Sequence, residues 1–310
     1  MNSFRTKMRS KAFSEELAEE IIQSNSFWQD ARIRFFQNKM AVLSCFILLS
    51  IVLFAIFGGY FAQWSNEEID WSVLGKVKTE GMPSIASGHY FGVDELGRDL
   101  YARVVQGSRV SLSVGVIASI FALISGATWG AIAGYYGKRL DAVILGASQI
   151  TTAIPYIIFF VVWQAFFGRS TSQLIIVMIL VNWSAGLFIV RGQVMMLKEK
   201  EFVDAARLMG LSDFQIIRKH ILPNMLGIVV IYASLTIPEV IMFESIVSFL
   251  GVGIQEPATS WGKLIAEGAR TMQFGTLWQF AFPAAIFALT QISLYYIGDG
   301  LRDALDPKDR

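Results

Sequence analysis

Glu239 and Glu244 follow Pro238 near the end of a long apolar run, and Asn182 lies inside another. A carboxylate within a membrane is costly and uncommon, so such groups are expected on a polar path or at a gate. There they could attract an amino-bearing solute. The alternative is a carboxylate that pairs with a neighbouring subunit or reaches interfacial water. Asn182, Trp183, Gln149 and Gln164 are ambiguous in the same way, since polar groups in spans often hydrogen-bond helix to helix. Pro238 lacks the N–H that would close the turn before it and frees a carbonyl there. No catalytic set accompanies these residues. His89 and His220 are expected on opposite sides of the membrane, and Cys45 is the single cysteine. Neither a zinc cluster nor an intrachain disulfide can form from them. The Gly-x-x-x-x-Gly-Lys-Ser/Thr phosphate loop and the Gly-x-Ser-x-Gly elbow are absent, so ATP hydrolysis is not expected of this chain.

The composition says what must position these groups. Of the 310 residues 54% are hydrophobic and 16% charged, with mean hydropathy +0.50 and net charge +1. Soluble domains carry roughly 25% charged residues. The chain is expected to be an all-α polytopic membrane protein, and no basic, aromatic-interleaved patch suggests nucleic acid. A spanning helix needs about 20 apolar residues. Six runs qualify: 40–61, 110–133, 142–167, 173–190, 225–243 and 275–297. Residues 1–39 form a polar tail, with no secretory signal, and then an interfacial helix over 26–39. Its Phe27, Trp28, Ala31 and Phe35 share one face. Residues 62–109 form an outer segment, 110–298 the five-helix core, and 299–310 a charged tail. Pro155 and Pro283 are expected to kink their helices.

Six spans put both termini on one side. Eight basic residues fall on the other: Lys76, Lys78, Arg98, Arg103, Arg109, Arg169, Lys263 and Arg270. The remaining 18 of 26 collect with the termini, the 134–141 loop and the 190–223 loop, which the positive-inside rule makes cytoplasmic. Ala118, Ala122, Gly126, Gly130 and Gly134 recur every four residues, beside a second row of Gly107, Ser111, Gly115 and Ser119. Such rows let helix backbones approach closely in lipid, either as plain bundle packing or as a contact that slides during gating.

The polar stretch Glu201–Asn224 lies between two spans. Phe202, Ala205/Ala206 and Met209 fall on one helical face. Gly210 can close that helix in the left-handed conformation. Ser212 and Gln215 have capping-box spacing for a second helix, with Phe214, Ile217 and Ile221 as its stripe and Pro223 as its stop. The segment resembles the EAA loop of ABC-importer permeases through Asp204-Ala205-Ala206, Gly210, Leu222 and Pro223. Asp204 replaces the usual Glu, and His220 stands where Ile is usual. The resemblance implies a coupling loop over 199–223 in which Ala205 and Ala206 allow close contact with a groove on an ATPase subunit.

Further segments resemble the same family. Phe91-Gly92-Val93-Asp94-Glu95-Leu96-Gly97-Arg98-Asp99 is similar to a turn of peptide and nickel permeases. Bottom-up, Gly92 and Gly97 set the turn and Asp99 can cap the next helix. Asp94, Arg98 and Asp99 are thus either structural or contacts for a binding protein. Phe249-Leu250-Gly251-Val252-Gly253 with Ser260-Trp261-Gly262, and the ending from Gly298 to Pro307, also match. The likeness is closest to the C-type permease subunit of bacterial oligopeptide importers. It implies a type I ABC-importer permease architecture with an N-terminal elbow helix and a cytoplasmic coupling helix, in a bacterial inner membrane. It implies as partners a second, B-type permease, two ATP-binding subunits that hold ATP and Mg, a periplasmic peptide-binding protein and a peptide substrate. No cofactor is expected in this chain. The resemblance leaves dipeptides, nickel or another small solute open. A secondary transporter driven by an ion gradient is the alternative of another class, but it predicts inverted repeats and midplane charges, and no repeat is evident.

Overall fold

A computed structural model describes residues 27–305. The expected tail over 1–25 and the last five residues lie outside them. The elbow α1 (Phe27–Gln37) leads through Asn38, whose side chain accepts from the Ala41 N–H, into α2 (Lys39–Phe57). The segment expected outside the membrane follows, mostly irregular, with one short helix at Val77–Glu80. Then come α3 (Leu100–Tyr136), α4 (Lys138–Ala153), α5 (Tyr156–Phe167) and α6 (Thr171–Leu197). The loop helix α7 (Glu201–Leu208) precedes a second helical run over 213–224. The chain closes with α8 (Leu226–Phe249), α9 (Trp261–Thr271) and α10 (Trp278–Leu305).

Among the described residues, five helices are long and apolar enough to cross a membrane unaided: α2 with its last 3-10 turn, α3, α6, α8 and α10. The expected third span is not one helix. Pro155 cannot donate to the turn before it, and the residue preceding a proline is pushed out of the helical region. Ile154 is accordingly extended, and α4 and α5 meet at 88°. The pair nevertheless returns the chain across the bilayer. Gly126 lies against Trp183 and Leu187, Gly130 against Leu187 and Val190, and Gly134 against Arg191 and Val194. Both numberings rise together, so α3 and α6 run parallel, and the chain between them must cross back. The bent pair therefore counts as one crossing, giving six.

Several helices outrun their apolar runs. The 37 residues of α3 extend about 55 Å at 1.5 Å per residue, against a hydrocarbon layer of about 30 Å. The Asp99 side chain starts the helix by accepting from the Ala102 N–H at 2.8 Å. The last helix, α10, runs on to Leu305, into the residues expected as a charged tail. Its Ala304 and Leu305 pack with Ala31 and Phe35 of the elbow. A Cβ on Gly300 would stand 2.5 Å from that of Ala41, so the glycine lets this corner close.

Both small-residue rows are packing faces. A Cβ on Gly126 would stand 2.4 Å from the Trp183 carbonyl. The second row faces α8 and the start of α9: Gly115 abuts Ile241, and Gly107 abuts the backbone of Ser260 and Trp261.

Candidate functional site

The segment between α6 and α8 folds as a helix, a left-handed turn and a second helix. Gly210 has φ +80°, and the Leu211 N–H reaches back to the Ala206 carbonyl at 3.2 Å, the bond that closes such an end. Ser212 and Gln215 form a reciprocal capping box. Pro223 does not stop this second helix. It occupies a further short turn, Leu222–Asn224, after a π-helical stretch at Ile217–Ile221. The Leu222 N–H bonds the Ile217 carbonyl, five residues back, so one residue is looped out just before the proline that cannot donate. The run then leads almost without interruption into α8.

The loop has two apolar faces. Val203, Ala206, Ile216 and Ile221 are buried against Ala131 and Tyr135 of α3, Val190 and Val194 of α6, and Met225. Leu222 packs at the edge of this cluster. The other face is open: Leu208 is 89% exposed, Met209 70% and Phe214 68%. Two expectations change here. Ala206 belongs to the inner face and cannot meet a partner, whereas Ala205 is exposed. Phe214 belongs to the outer face, and Ile216 takes its expected place in the inner stripe. The reason is the helical period: the face buried on the bundle is Val203–Ala206, not Phe202–Ala205–Met209. Asp204 is exposed and pairs with Arg207 at 2.9 Å. Tyr135 donates to Asp213 Oδ1 at 2.8 Å, and the Arg207 guanidinium lies 5.8 Å from the centre of its ring.

The two span carboxylates part company. Glu239 is exposed near the middle of α8. Glu244 departs from the gate expectation. It is 0% exposed and accepts from Ser111 Oγ at 2.9 Å and Ser248 Oγ at 2.7 Å, with Ser245 at 3.4 Å. Ser111 Oγ in turn accepts from the Trp261 N–H at 3.2 Å. Glu244 thus joins α8, α3 and α9 from inside, because serines of α3 and α8 surround it and Ser111 carries the link on to the start of α9. Asn182 is half-buried and donates to the Met178 carbonyl one turn back, at 2.8 Å.

The outer turn is also inside the fold. Asp94 and Asp99 are buried, so neither is free to touch a binding protein. Asp94 accepts from the Leu96 and Arg98 N–H groups at 2.8 and 2.9 Å, from Arg98 Nε at 2.7 Å, and from Arg103. Its carboxylate closes the turn while holding two guanidinium groups, a fully used acceptor set. Arg98, almost buried, reaches Glu256 at 2.9 Å, and the buried Arg103 reaches Glu267 of α9 at 2.9 Å. Lys263 pairs with Glu256 at 3.0 Å. Burial would raise the Glu256 carboxyl, but its hydrogen bond to Lys263 and the charges of Arg103, Lys263 and Arg98 hold it below the ordinary glutamate range. Sequence reasoning weighed His89 only as a metal ligand and missed its place in this cluster. It is fully buried, with Nδ1 2.9 Å from Asp99, Nε2 3.3 Å from Asp70, and its ring stacked on Trp64. No signal in the sequence ties His89 to Asp70, nineteen positions away. Sequence reasoning also missed Arg103, Glu256 and Glu267, which lie in three segments the turn motif does not reach.

Comparison with known proteins accords with these features. Residues 126–310 match the family described as binding-protein-dependent transport system inner membrane component, and residues 26–74 match the N-terminal TM domain of oligopeptide transport permease C. The oligopeptide transport system permease protein OppC of Haemophilus influenzae is 40% identical over 317 residues, covering 100% of both chains. That of Escherichia coli K12 is 43% identical over 298 residues, 96% of each. The dipeptide transport system permease protein DppC of Bacillus subtilis is 37% identical, covering 93% of this chain and 88% of its own. A solved chain of the MetNI methionine ABC transporter, in an inward-facing conformation, is alike in fold. Its TM-score is 0.50 at 20% identity, over 64% of this chain and 95% of that one. The matched models span both the elbow with its first helix and the core with its coupling loop, and the chain belongs to the family of inner-membrane components of binding-protein-dependent transport systems.

Proposed function

We propose that this chain is one of two membrane subunits of an ABC importer for oligopeptides, driven by ATP hydrolysis on separate subunits. The observation that carries the reading is the outer face of the 199–223 loop. Three large apolar side chains, Leu208, Met209 and Phe214, are presented to solvent on a helix–glycine–helix whose opposite face is seated on the bundle. An apolar ridge of this kind on a polar loop suits a protein partner. Relatives named as oligopeptide permeases, 40–43% identical almost end to end, support the substrate class.

In this reading two ATP-binding subunits hold ATP and Mg and grip the exposed loop, with Asp204, Ala205 and Gly210 on the gripped side. A second, B-type permease completes the path, and a periplasmic binding protein delivers the peptide. The distribution of Lys and Arg supports cytoplasmic termini and a cytoplasmic loop. The chain itself binds no cofactor and carries no ATPase site. Its mechanical task is to convert movement of the loop into rearrangement of the spans. Glu239 and Asn182 are proposed to line the path. Glu239 is the stronger of the two, since a carboxylate exposed at mid-span needs a water-filled path or a partner and could receive the peptide's amino group.

The test is a mild-detergent pull-down of the tagged chain followed by reconstitution in proteoliposomes. The expected result is recovery of a second six-span protein and two ATP-binding subunits, with ATP-dependent uptake of trialanine. Recovery of this chain alone, as an ion-driven transporter, would overturn the reading. Dipeptides are a second reading, favoured by the dipeptide permease among the relatives. Uptake of dialanine in strong preference to tri- and tetra-alanine would select it.

A further inference from the structure

The inner face of the coupling loop is mostly apolar, and apolar contacts can slide. One side chain on the bundle fixes the loop by direction as well as by contact. Tyr135 sits in the last turn of α3, largely buried, and its hydroxyl donates to Asp213 Oδ1 at 2.8 Å. The acceptor is a carboxylate oxygen, and hydrogen bonds to carboxylates are the stronger class. Arg207 of α7 lies over the same ring at 5.8 Å and is itself held by Asp204. Tyr135 therefore meets both halves of the helix–glycine–helix, α7 through Arg207 and the second helix through Asp213.

What lies behind Tyr135 is stiff. Its neighbour Gly134 abuts the Arg191 carbonyl so closely that a Cβ would stand 2.8 Å from it. Lys198 Nζ donates to the Gly134 carbonyl at 2.9 Å. Arg191 grips Asp141 of α4 with two bonds, at 2.5 and 2.6 Å. A push on Asp213 thus arrives at a unit made of α3, α6 and α4. We infer that Tyr135 is a positioning residue for transport: its bond to Asp213 transmits movement of the coupling loop to the α3–α6 pair. The inference rests on the functional reading above. It places the transmission on the second and fourth spans, with the first half of the bent third span behind them, and its bonded pair, Tyr135 and Asp213, lies outside the positions that match the EAA motif.

The test uses the complete reconstituted complex, with trialanine uptake and ATP hydrolysis measured on the same vesicles. Tyr135→Phe keeps the ring beneath Arg207 and deletes only the hydroxyl. Peptide moved per ATP hydrolysed is expected to fall about tenfold to a hundredfold, the weight of one hydrogen bond to a carboxylate. Asp213→Ala should do the same, and the double variant should be no worse than either single one, because both remove one interaction. Asp213→Asn keeps an acceptor and should restore most of the ratio. An anchor that merely stabilises the loop would lower the melting temperature and leave the ratio unchanged. An unchanged ratio in Tyr135→Phe, or losses that add in the double variant, would overturn the inference alone. A wild-type complex that assembles and hydrolyses ATP but moves no peptide would overturn the functional reading beneath it.

Discussion

The paired carboxylates of this chain fall into two layers that answer to different variables. In the outer cap the Glu256 carboxylate is held below its ordinary range, against the effect of burial, by Lys263, Arg103 and Arg98. A depressed carboxyl contributes stability that is complete above the unfolded pKa, about 4.3, and is lost as pH falls through the folded value. Asp99 has the opposite sign. Burial raises its carboxyl, more than the Ala102 N–H and His89 lower it. Its contribution is present below the unfolded value, about 3.9, and is lost as pH rises through the folded one. Replacing Glu256 with Gln is therefore expected to flatten the acid side of a melting-temperature profile between about pH 5 and 3, read by thermal unfolding in detergent. A profile as steep as wild type would show that Glu256 is screened by solvent. In the membrane layer, Glu244 is expected to tolerate Gln far better than Ala, because the amide oxygen accepts from one of the Ser111 and Ser248 hydroxyls and the amide NH2 can donate to the other. Glu244→Ala leaves serine hydroxyls unsatisfied in the interior, at a cost of roughly 1–3 kcal/mol each. Equal stability of the two variants would remove the polar knot from the account of how α8, α3 and α9 hold together.

At the scale of elements, the fold rests on how closely α3 approaches its neighbours. Gly126 has no room for a methyl group beside the Trp183 carbonyl, whereas a Cβ at Gly146 of α4 would meet nothing within 4 Å. Gly126→Ala is thus expected to push α3 from α6 and lower the yield of folded chain. Gly146→Ala should be neutral or stabilising by up to about 1 kcal/mol through helix propensity. Comparable melting temperatures for the two would contradict the close-packing argument. The periodic glycines made this contact legible in the sequence, and the capping box and Gly210 made the coupling loop legible too, since each is set by residues a few positions apart. What stayed hidden depends on partners distant in the chain. Pro155 announced a kink, but not a break of 88° that leaves Ile154 extended between two separate helices. The motif around Asp94 and Asp99 read equally as turn or contact surface, and the bonds to Arg103 and His89 decide for the turn. Likewise Glu244 looked like a path residue because the sequence does not reveal that serines of α3 and α8 surround it.

For the whole molecule, the question is what lies against the loop's outer face. The six crossings bury the inner side of 199–223 on α3 and α6, and none of the described residues covers Leu208, Met209 or Phe214. Full burial of three side chains of this size would contribute on the order of 1.5–3 kcal/mol each, enough to matter for assembly without being needed for the chain's own fold. Asp substitutions at Leu208 and Phe214 should therefore leave the membrane-inserted chain as stable as wild type, because both sites are already in water. In the assembled complex the same substitutions would bury an unpaired carboxylate against an apolar groove, a far larger cost than the contact they delete. The expected outcome is a chain that still recovers its membrane partner in a pull-down but loses the ATP-binding subunits and peptide uptake. Gly210→Pro makes the complementary case. Proline cannot adopt φ +80°, so the two loop helices would change their mutual angle while both faces keep their side chains. That variant is expected to retain ATP-binding subunits in part and to hydrolyse ATP without moving peptide. If the Asp variants kept the ATP-binding subunits at wild-type stoichiometry, the exposed ridge would not be their seat, and the coupling surface would have to be sought on the cytoplasmic ends of the spans themselves.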